Sequence, residues 1–246
     1  MHAAYDDISL AYKIVHGELQ VKKHAEEFTY LNLLGDVQGK TVLDLACGEG
    51  RFSRTIKRRG AHQVVGVDIS ASMIELARQT EDQQPLGTTY IHGDVASLGT
   101  IGSFDLVSAA FLFNYAASKE ALLALCRTAY NNLKAGGKLV ASINATPLFP
   151  PLNNQATRKY GYLVQSPSPL REGDAVHYSF FTGSHSIRLL NYHWSTVTYE
   201  WALREAGFGA CSWQAPSISP QGLEQHGREF WRDFLLEPNF ICLECT

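Results

Sequence analysis

Three acidic residues and a pair of glycines carry the most legible chemistry of this chain. The stretch Asp44-Leu45-Ala46-Cys47-Gly48-Glu49-Gly50 closes an apolar run, makes a Gly-x-Gly turn and leads straight into a helical pattern. Glycines let backbone approach a ligand where a side chain would collide, and the helix that follows offers unpaired N–H groups. That layout builds a nucleotide-type pocket at the carboxyl edge of a parallel sheet. Asp44, ahead of the glycines, favours a ligand with an amine or cation at that point over a pyrophosphate. Asp68 ends the next apolar run, 18 positions after Gly50, where a carboxylate can accept from two vicinal ribose hydroxyls. Asp94, in Gly93-Asp94-Val95, can accept from an adenine amino group. Each acid also has a structural use: Asp44 as a cap on the turn's amides, Asp68 as the anion at a helix start, Asp94 in a turn. Asp105 begins a strand and reads as structural.

The elements that must position these residues follow from hydrophobic period. Residues 5–34 read as helices, with Ala25, Phe28 and Leu31 to Leu34 forming an apolar stripe closed by Gly35. Strands are expected at Lys40–Leu45, Gln63–Asp68, Thr88–His92, Phe104–Ala110 and Lys138–Asn144. Helices are expected at Gly50–Arg59, from Ser70 as N-cap to about Gln83, and at Lys119–Leu133. Such alternation implies right-handed crossovers and a doubly wound, mostly parallel sheet. The pattern breaks after residue 145. Residues 147–172 read as a loop or lid, and Ala175–Phe181 with Ser186–Trp194 as a hairpin. On that hairpin, alternation puts Leu189, Asn191 and His193 on one face and Leu190, Tyr192 and Trp194 on the other. Val176, Tyr178 and Phe180 share a face, with His177 opposite. Thr196–Glu205 reads as a helix, and Ala210–Gln214 and Asn239–Glu244 as strands.

The register of Asp44, Gly48 and Gly50, then Asp68, Asp94, the aromatic run from Phe111 and Leu133-Lys134-Ala135-Gly136-Gly137-Lys138-Leu139 resembles the class I S-adenosylmethionine-dependent methyltransferases over about residues 38–145. The resemblance implies a seven-stranded Rossmann-like sheet with S-adenosyl-L-methionine as cofactor and S-adenosyl-L-homocysteine as product. It implies Asp44, Gly48 and Gly50 on the methionine part, Asp68 on the ribose, Ile69 and Val95 against the adenine, and Asp94 on its amino group. Ala110 would offer backbone to the amino-acid end, and Ala46, Met73 and Phe111 complete the expected contacts. Ala46 stands where such enzymes often carry glycine. An NAD-type oxidoreductase fits less well, because its third glycine would fall at Ser53 and Asp44 would face a pyrophosphate.

The fourth-strand exit, Phe113-Asn114-Tyr115-Ala116, lacks the prolines of nucleic-acid amino-methylating enzymes. The Tyr5-Asp6-Asp7 opening and residues 192–208 resemble small-molecule methyltransferases of bacterial secondary metabolism, and Phe230-Trp231-x-x-Phe234 with Ile241-Cys242-Leu243 is similar to the toxoflavin-pathway type of N-methyltransferase. The implied activity is transfer of a methyl group to a nitrogen or oxygen of a small molecule. Methylation at carbon, and a non-catalytic partner subunit, remain as alternatives. If the reaction needs a base, His193 or His177 suits by type, and Tyr12 or Tyr178 could orient the acceptor. The division expected is a helical cap (1–36), a cofactor core (37–145), a substrate cover (146–195) and a sheet-completing segment (196–246) of one domain.

Composition closes off other classes. Net charge is −3, from 21 basic and 24 acidic residues, so no global basic field points to nucleic acid or anionic lipid. No stretch approaches the roughly 20 apolar residues that span a bilayer, and Met1 to Asp7 lacks a signal-peptide pattern. A cytoplasmic location, five reduced cysteines and a monomer or homodimer are therefore expected. Cys242-x-x-Cys245 has no second pair at metal spacing, and its two thiols should face opposite sides of a strand, so no metal is expected.

Overall fold

Strand and helix alternate as the hydrophobic periods require. In the computed structural model, which describes residues 5–6, 8–144, 155–183 and 185–246, the chain opens with α1 (Ser9–Glu18), a π-helical turn (Lys22–Glu27) and α2 (Phe28–Leu34). Then come β1 (Thr41–Leu45), α3 (Arg51–Arg58), β2 (Gln63–Asp68), α4 (Ala71–Gln83) and β3 (Thr88–His92). β4 (Phe104–Ala110), α5 (Lys119–Asn131) and β5 (Leu133–Asn144) follow. Beyond them lie β6 (Tyr162–Gln165), β7 (Ala175–Thr182), β8 (His185–Tyr192), α6 (Thr196–Ala206), β9 (Cys211–Gln214), α7 (Pro220–Leu236) and β10 (Phe240–Cys245).

Among the described residues, seven strands form one sheet in the order β3-β2-β1-β4-β5-β10-β9. β1 to β5 pair in parallel, and β10 runs antiparallel to both β5 and β9. Each central strand is buried on both faces, which is why its sequence is a nearly continuous apolar run. On β1, Val42 packs on one side with Ile56, Val64 and Leu106, while Leu43 and Leu45 pack on the other with Val107 and Leu139. β2 and β4 flank β1 on opposite sides, so the chain reverses its winding there. The resulting crevice at the carboxyl ends of these strands is where ligands bind in such sheets.

The structure revises four expectations. The loop expected at 147–172 contains β6, which pairs antiparallel with β7 and makes the cover a three-stranded sheet, β6-β7-β8; the part at 147–154 lies outside the described residues. α5 stops at Asn131, and Leu133 already pairs with Phe104, so β5 starts before Gly136 and takes a register irregularity there. Residues 220–236, to which no element was given, form α7: Ser219 caps it, Pro220 occupies its first turn and Gly227 interrupts it. Finally, Cys211 and Cys245 face each other across β9 and β10, with Cα atoms 4.2 Å apart, and are joined by a disulfide, against the expectation of five reduced thiols. Cys47, Cys126 and Cys242 are free thiols. Cys242 and Cys245 do lie in the cores on opposite faces of the sheet.

Among the described residues no helix is long and apolar enough to cross a membrane. No group of three or more His, Cys, Asp or Glu side chains among them is arranged to hold a metal ion.

Candidate active site

The turn after β1 is built around a buried carboxylate. Asp44 accepts from Ser53 Oγ at 2.5 Å and from Ser108 Oγ at 2.8 Å, and Tyr30 bonds Ser108 in turn at 2.8 Å. Ser53, on α3, thus supplies a hydroxyl where a dinucleotide fold would place its third glycine. Burial pushes the Asp44 carboxyl up to about 6, against the two serine hydroxyls that pull it down. A carboxyl raised on folding favours the native state most below its ordinary value near 3.8. That contribution is lost as pH rises through 6. A shift of about two pKa units corresponds to about 3 kcal/mol. The melting temperature of Asp44→Asn, relative to wild type, is therefore expected to rise between pH 4.5 and 7.5. A difference that stays flat over that range would show that Asp44 is ionised in the fold without penalty.

The turn itself is strained toward the crevice. Ala46, Gly48 and Gly50 all have positive φ, at 59°, 55° and 82°. At Gly50 a Cβ would collide with the Tyr90 ring, whereas beside Gly48 nothing lies within 4 Å, so backbone there faces open space. Ala46 adopts this conformation despite its Cβ, as does Phe111 after β4, also at φ 59°. Non-glycine residues hold such angles at a cost of about 1–3 kcal/mol, and they cluster at ligand sites. Asp68 pins the turn from β2, accepting from Gly48 N at 2.8 Å through one oxygen and from Ser70 N at 2.9 Å through the other. Burial raises its carboxyl above the ordinary value against these two amides. Each oxygen keeps a lone pair for a further donor.

A cavity follows the carboxyl ends of β1, β2 and β4 in three adjoining lobes, with Tyr12 and Phe111 lining all three. The outer lobe holds Asp68, Met73, Gly48, Ala46, Ala110 and Tyr115. Ile69, beside it in sequence, leaves 40% of its surface exposed, and Val95 is buried. Asp94 caps the short turn Val95–Ser97 by accepting from Ala96 N at 2.9 Å through one oxygen. The site residues read from the sequence around Asp44, Asp68 and Phe111 are thus gathered at one edge of the sheet. These features fit S-adenosylmethionine: an open backbone cradle at Gly48, a carboxylate with spare acceptors at Asp68 and an exposed apolar side chain at Ile69.

The second lobe runs under α1 and the π-helical turn. Lys22 and Glu26 form a buried ion pair there at 2.5 Å. The Lys22 ammonium lies 4.7 Å from the Phe111 ring centre and 4.5 Å from that of Phe180. His16 stacks on Tyr12 with ring centres 3.8 Å apart, and its Nε2 is buried without a partner. Burial, with Lys22 and Arg51 nearby, holds the imidazole well below its ordinary value, so it is neutral at pH 7. Arg51 pairs with Glu27 at the rim. The third lobe lies beneath the hairpin and contains Asn114, Asn144, Asn191, Phe180 and Leu189. Burial raises the phenols of Tyr5, Tyr12 and Tyr115 above their ordinary value, so they remain donors at neutral pH. The Tyr5 and Tyr115 hydroxyls touch.

Of the four side chains expected to handle the acceptor, Tyr12 alone lines these lobes. His177 lies on the face of β7 opposite Tyr178. His193 follows the end of β8, its backbone bonded to Gly173 and Asp174, with Glu172 and Asp174 as charged neighbours. Tyr178 is buried in the core between the cover sheet and the helices. The residues that do line the inner lobes, His16, Lys22, Glu26, Asn144 and Asn191, were not singled out for this. A Lys and Glu four apart read as a surface helix pair. Asn191, a polar residue on the hairpin face it shares with Leu189 and His193, is the signal the sequence offers.

Comparison with known proteins agrees with this geometry. The model of a family described as a methyltransferase domain matches residues 42–137. An N-demethylindolmycin N-methyltransferase from Streptomyces griseus is 30% identical over 175 residues, covering 68% of this chain and 68% of that one. A ubiquinone biosynthesis O-methyltransferase from Coxiella burnetii is 33% identical over 107 residues, 43% of this chain and 44% of its own length. The fold is shared with an S-adenosylmethionine-dependent methyltransferase from Mesorhizobium loti, at TM-score 0.65 and 20% identity over 94% of this chain and 99% of that one. An open backbone turn at Gly48, sequence kinship across two thirds of the chain and a common fold converge: the chain belongs to the class I S-adenosylmethionine-dependent methyltransferases, and its activity is methyl transfer from that cofactor.

Proposed function

We propose that the chain methylates a nitrogen or oxygen atom of a small molecule held in the inner lobes, beneath α1 and the hairpin. The observation that carries this reading is the enclosure of those lobes. Tyr12, Phe111, Phe180 and Leu189 wall a space that adjoins the outer lobe, and the polar side chains of His16, Asn114, Asn144 and Asn191 converge on it, a combination suited to a small-molecule site. The N-methyltransferase from Streptomyces griseus lends support, since N-demethylindolmycin, for which it is named, is a small molecule.

S-adenosylmethionine supplies a methyl carbon already activated by a sulfonium. In this reading Asp68 takes the ribose hydroxyls, Ile69 and Val95 flank the adenine, and Asp94 meets its amino group with its second oxygen. Gly48, Gly50, Ala46 and Ala110 present backbone to the amino-acid end, with Met73 and Phe111 packing alongside. Asp44, tied to two serines, acts by shaping the turn. The aromatic rings around the lobes attract positive charge to their faces and exclude water. As the new bond to nitrogen or oxygen forms and the carbon–sulfur bond breaks, its electron pair leaves with sulfur. The acceptor's proton passes to neutral His16 Nε2, and Tyr12 donates to the acceptor and orients it.

A methyl-transfer screen of the purified chain against amine, phenol, carboxylate and thiol acceptors, with DNA and RNA alongside, tests the reading. Turnover is expected on an amine or hydroxyl of a small molecule. Methylation confined to nucleic acid, or seen only after adding a partner protein, would reject it.

A further inference from the structure

We infer that Asn114 reads a neutral cis-amide edge of the acceptor, a ring N–H beside a carbonyl as in lactams and cyclic ureas, so that the substrate class is a planar lactam-type heterocycle. This rests on the small-molecule reading above and sharpens it. Asn114 sits on the turn Phe113–Tyr115 after β4, is 1% exposed and lines the third lobe. Among the described residues, neither its Oδ1 nor its Nδ2 has a hydrogen-bond partner. Asn191, 2% exposed and in the same lobe, accepts from Asn144 Nδ2 at 2.5 Å and faces the Tyr115 hydroxyl.

Burying an amide with both ends unmade is costly, and each such group in a native chain calls for an explanation. One side chain here presents a donor and an acceptor side by side in one plane. Its complement is an acceptor and a donor side by side, the arrangement by which asparagine grips the edge of adenine with two parallel bonds.

Charge and shape narrow the ligand further. His16 is neutral, the phenols are protonated, and Lys22 is compensated by Glu26 at 2.5 Å. The lobe thus offers no uncompensated charge, which favours a neutral edge over a carboxylate or an ammonium. Phe111 and Phe180 supply flat apolar walls. The lobe shares Tyr5, Tyr12, Phe111 and Tyr115 with the outer lobe, so a ring held by Asn114 lies next to the cofactor cradle.

Matched pairs of planar heterocycles test the inference. Each pair is a lactam (2-pyridone, 2-quinolone, uracil) and the O-methyl ether that lacks its ring N–H. Both are titrated calorimetrically into the full chain saturated with S-adenosylhomocysteine. At least one lactam is expected to bind tenfold or more tighter than its ether, and Asn114→Leu is expected to erase that preference. The variant should hold S-adenosylhomocysteine as wild type does and melt no lower, since it removes an unsatisfied amide; a structural asparagine would melt lower. Asn114→Asp, which swaps the donor for a second acceptor, should also lose the preference and serves if the leucine variant does not fold. The inference is overturned if no lactam outbinds its ether, whether both bind or neither does, or if the preference survives both substitutions. Rapid methylation of acceptors with no such edge would overturn it too, while leaving the small-molecule reading intact. Failure of every small acceptor in the transfer screen would instead remove the reading beneath it.

Discussion

Asp68→Ala is expected to weaken binding of S-adenosylhomocysteine by about 3–6 kcal/mol, on the order of 10²–10⁴-fold, through two lost bonds from ribose hydroxyls to a carboxylate. The same change leaves Gly48 N and Ser70 N without their acceptor and frees the cradle to shift. Asp68→Asn, which keeps the shape and one acceptor oxygen, should fall between the two. Calorimetric titration reads the affinity, and a melting curve separates loss of binding from loss of fold. Wild-type affinity in the alanine variant would remove Asp68 from the ribose. Because burial raises its carboxyl, affinity should begin to decline, as pH falls, above the range where an exposed aspartate protonates.

The second large effect is expected at His16. Replacement by glutamine should lower kcat by 10²–10⁴-fold, the usual worth of a positioned base, while S-adenosylhomocysteine affinity stays within a few-fold. The pH profile distinguishes a base from a packing residue. The His16 imidazole is held well below 6.5, so it stays neutral where an ordinary histidine takes up a proton. Wild-type kcat should therefore be flat from pH 8 down to 6.5 and fall only at lower pH. Added imidazole should partly restore turnover in a His16→Gly variant, where the vacated space admits it. An unchanged kcat in the glutamine variant would leave the reaction without a base at this position.

The cofactor half of the site was legible because its signals are local. Asp44 and Asp68 lie at the carboxyl ends of β1 and β2 and Asp94 just beyond β3, and strand–turn–helix chemistry places them at one sheet edge regardless of distant contacts. The acceptor half depends on tertiary docking. Lys22 and Glu26 look like a solvated helix pair until α1 and the π-helical turn fold over Phe111 and Phe180. β6 is four residues long, and its identity as a strand comes from pairing with β7. His193 and His177 suit a base by residue type, but strand parity and the end of β8 decide where they lie. Cys211 and Cys245, 34 positions apart, are brought together by the antiparallel register of β9 and β10, which neither segment announces.

The strand order also has a consequence during synthesis. β5 pairs with β4 on one side, but its other neighbour, β10, joins Ile143 to Ile241. Translation at about 5–20 residues per second separates the two strands by roughly 5–20 s. Throughout that interval the apolar flank of Val140, Ala141 and Ile143 has no partner on the nascent chain. An edge of this kind is a template for mispairing. The β5 edge is therefore open to mispairing after the cofactor cradle has been synthesised and before β10 can close the sheet.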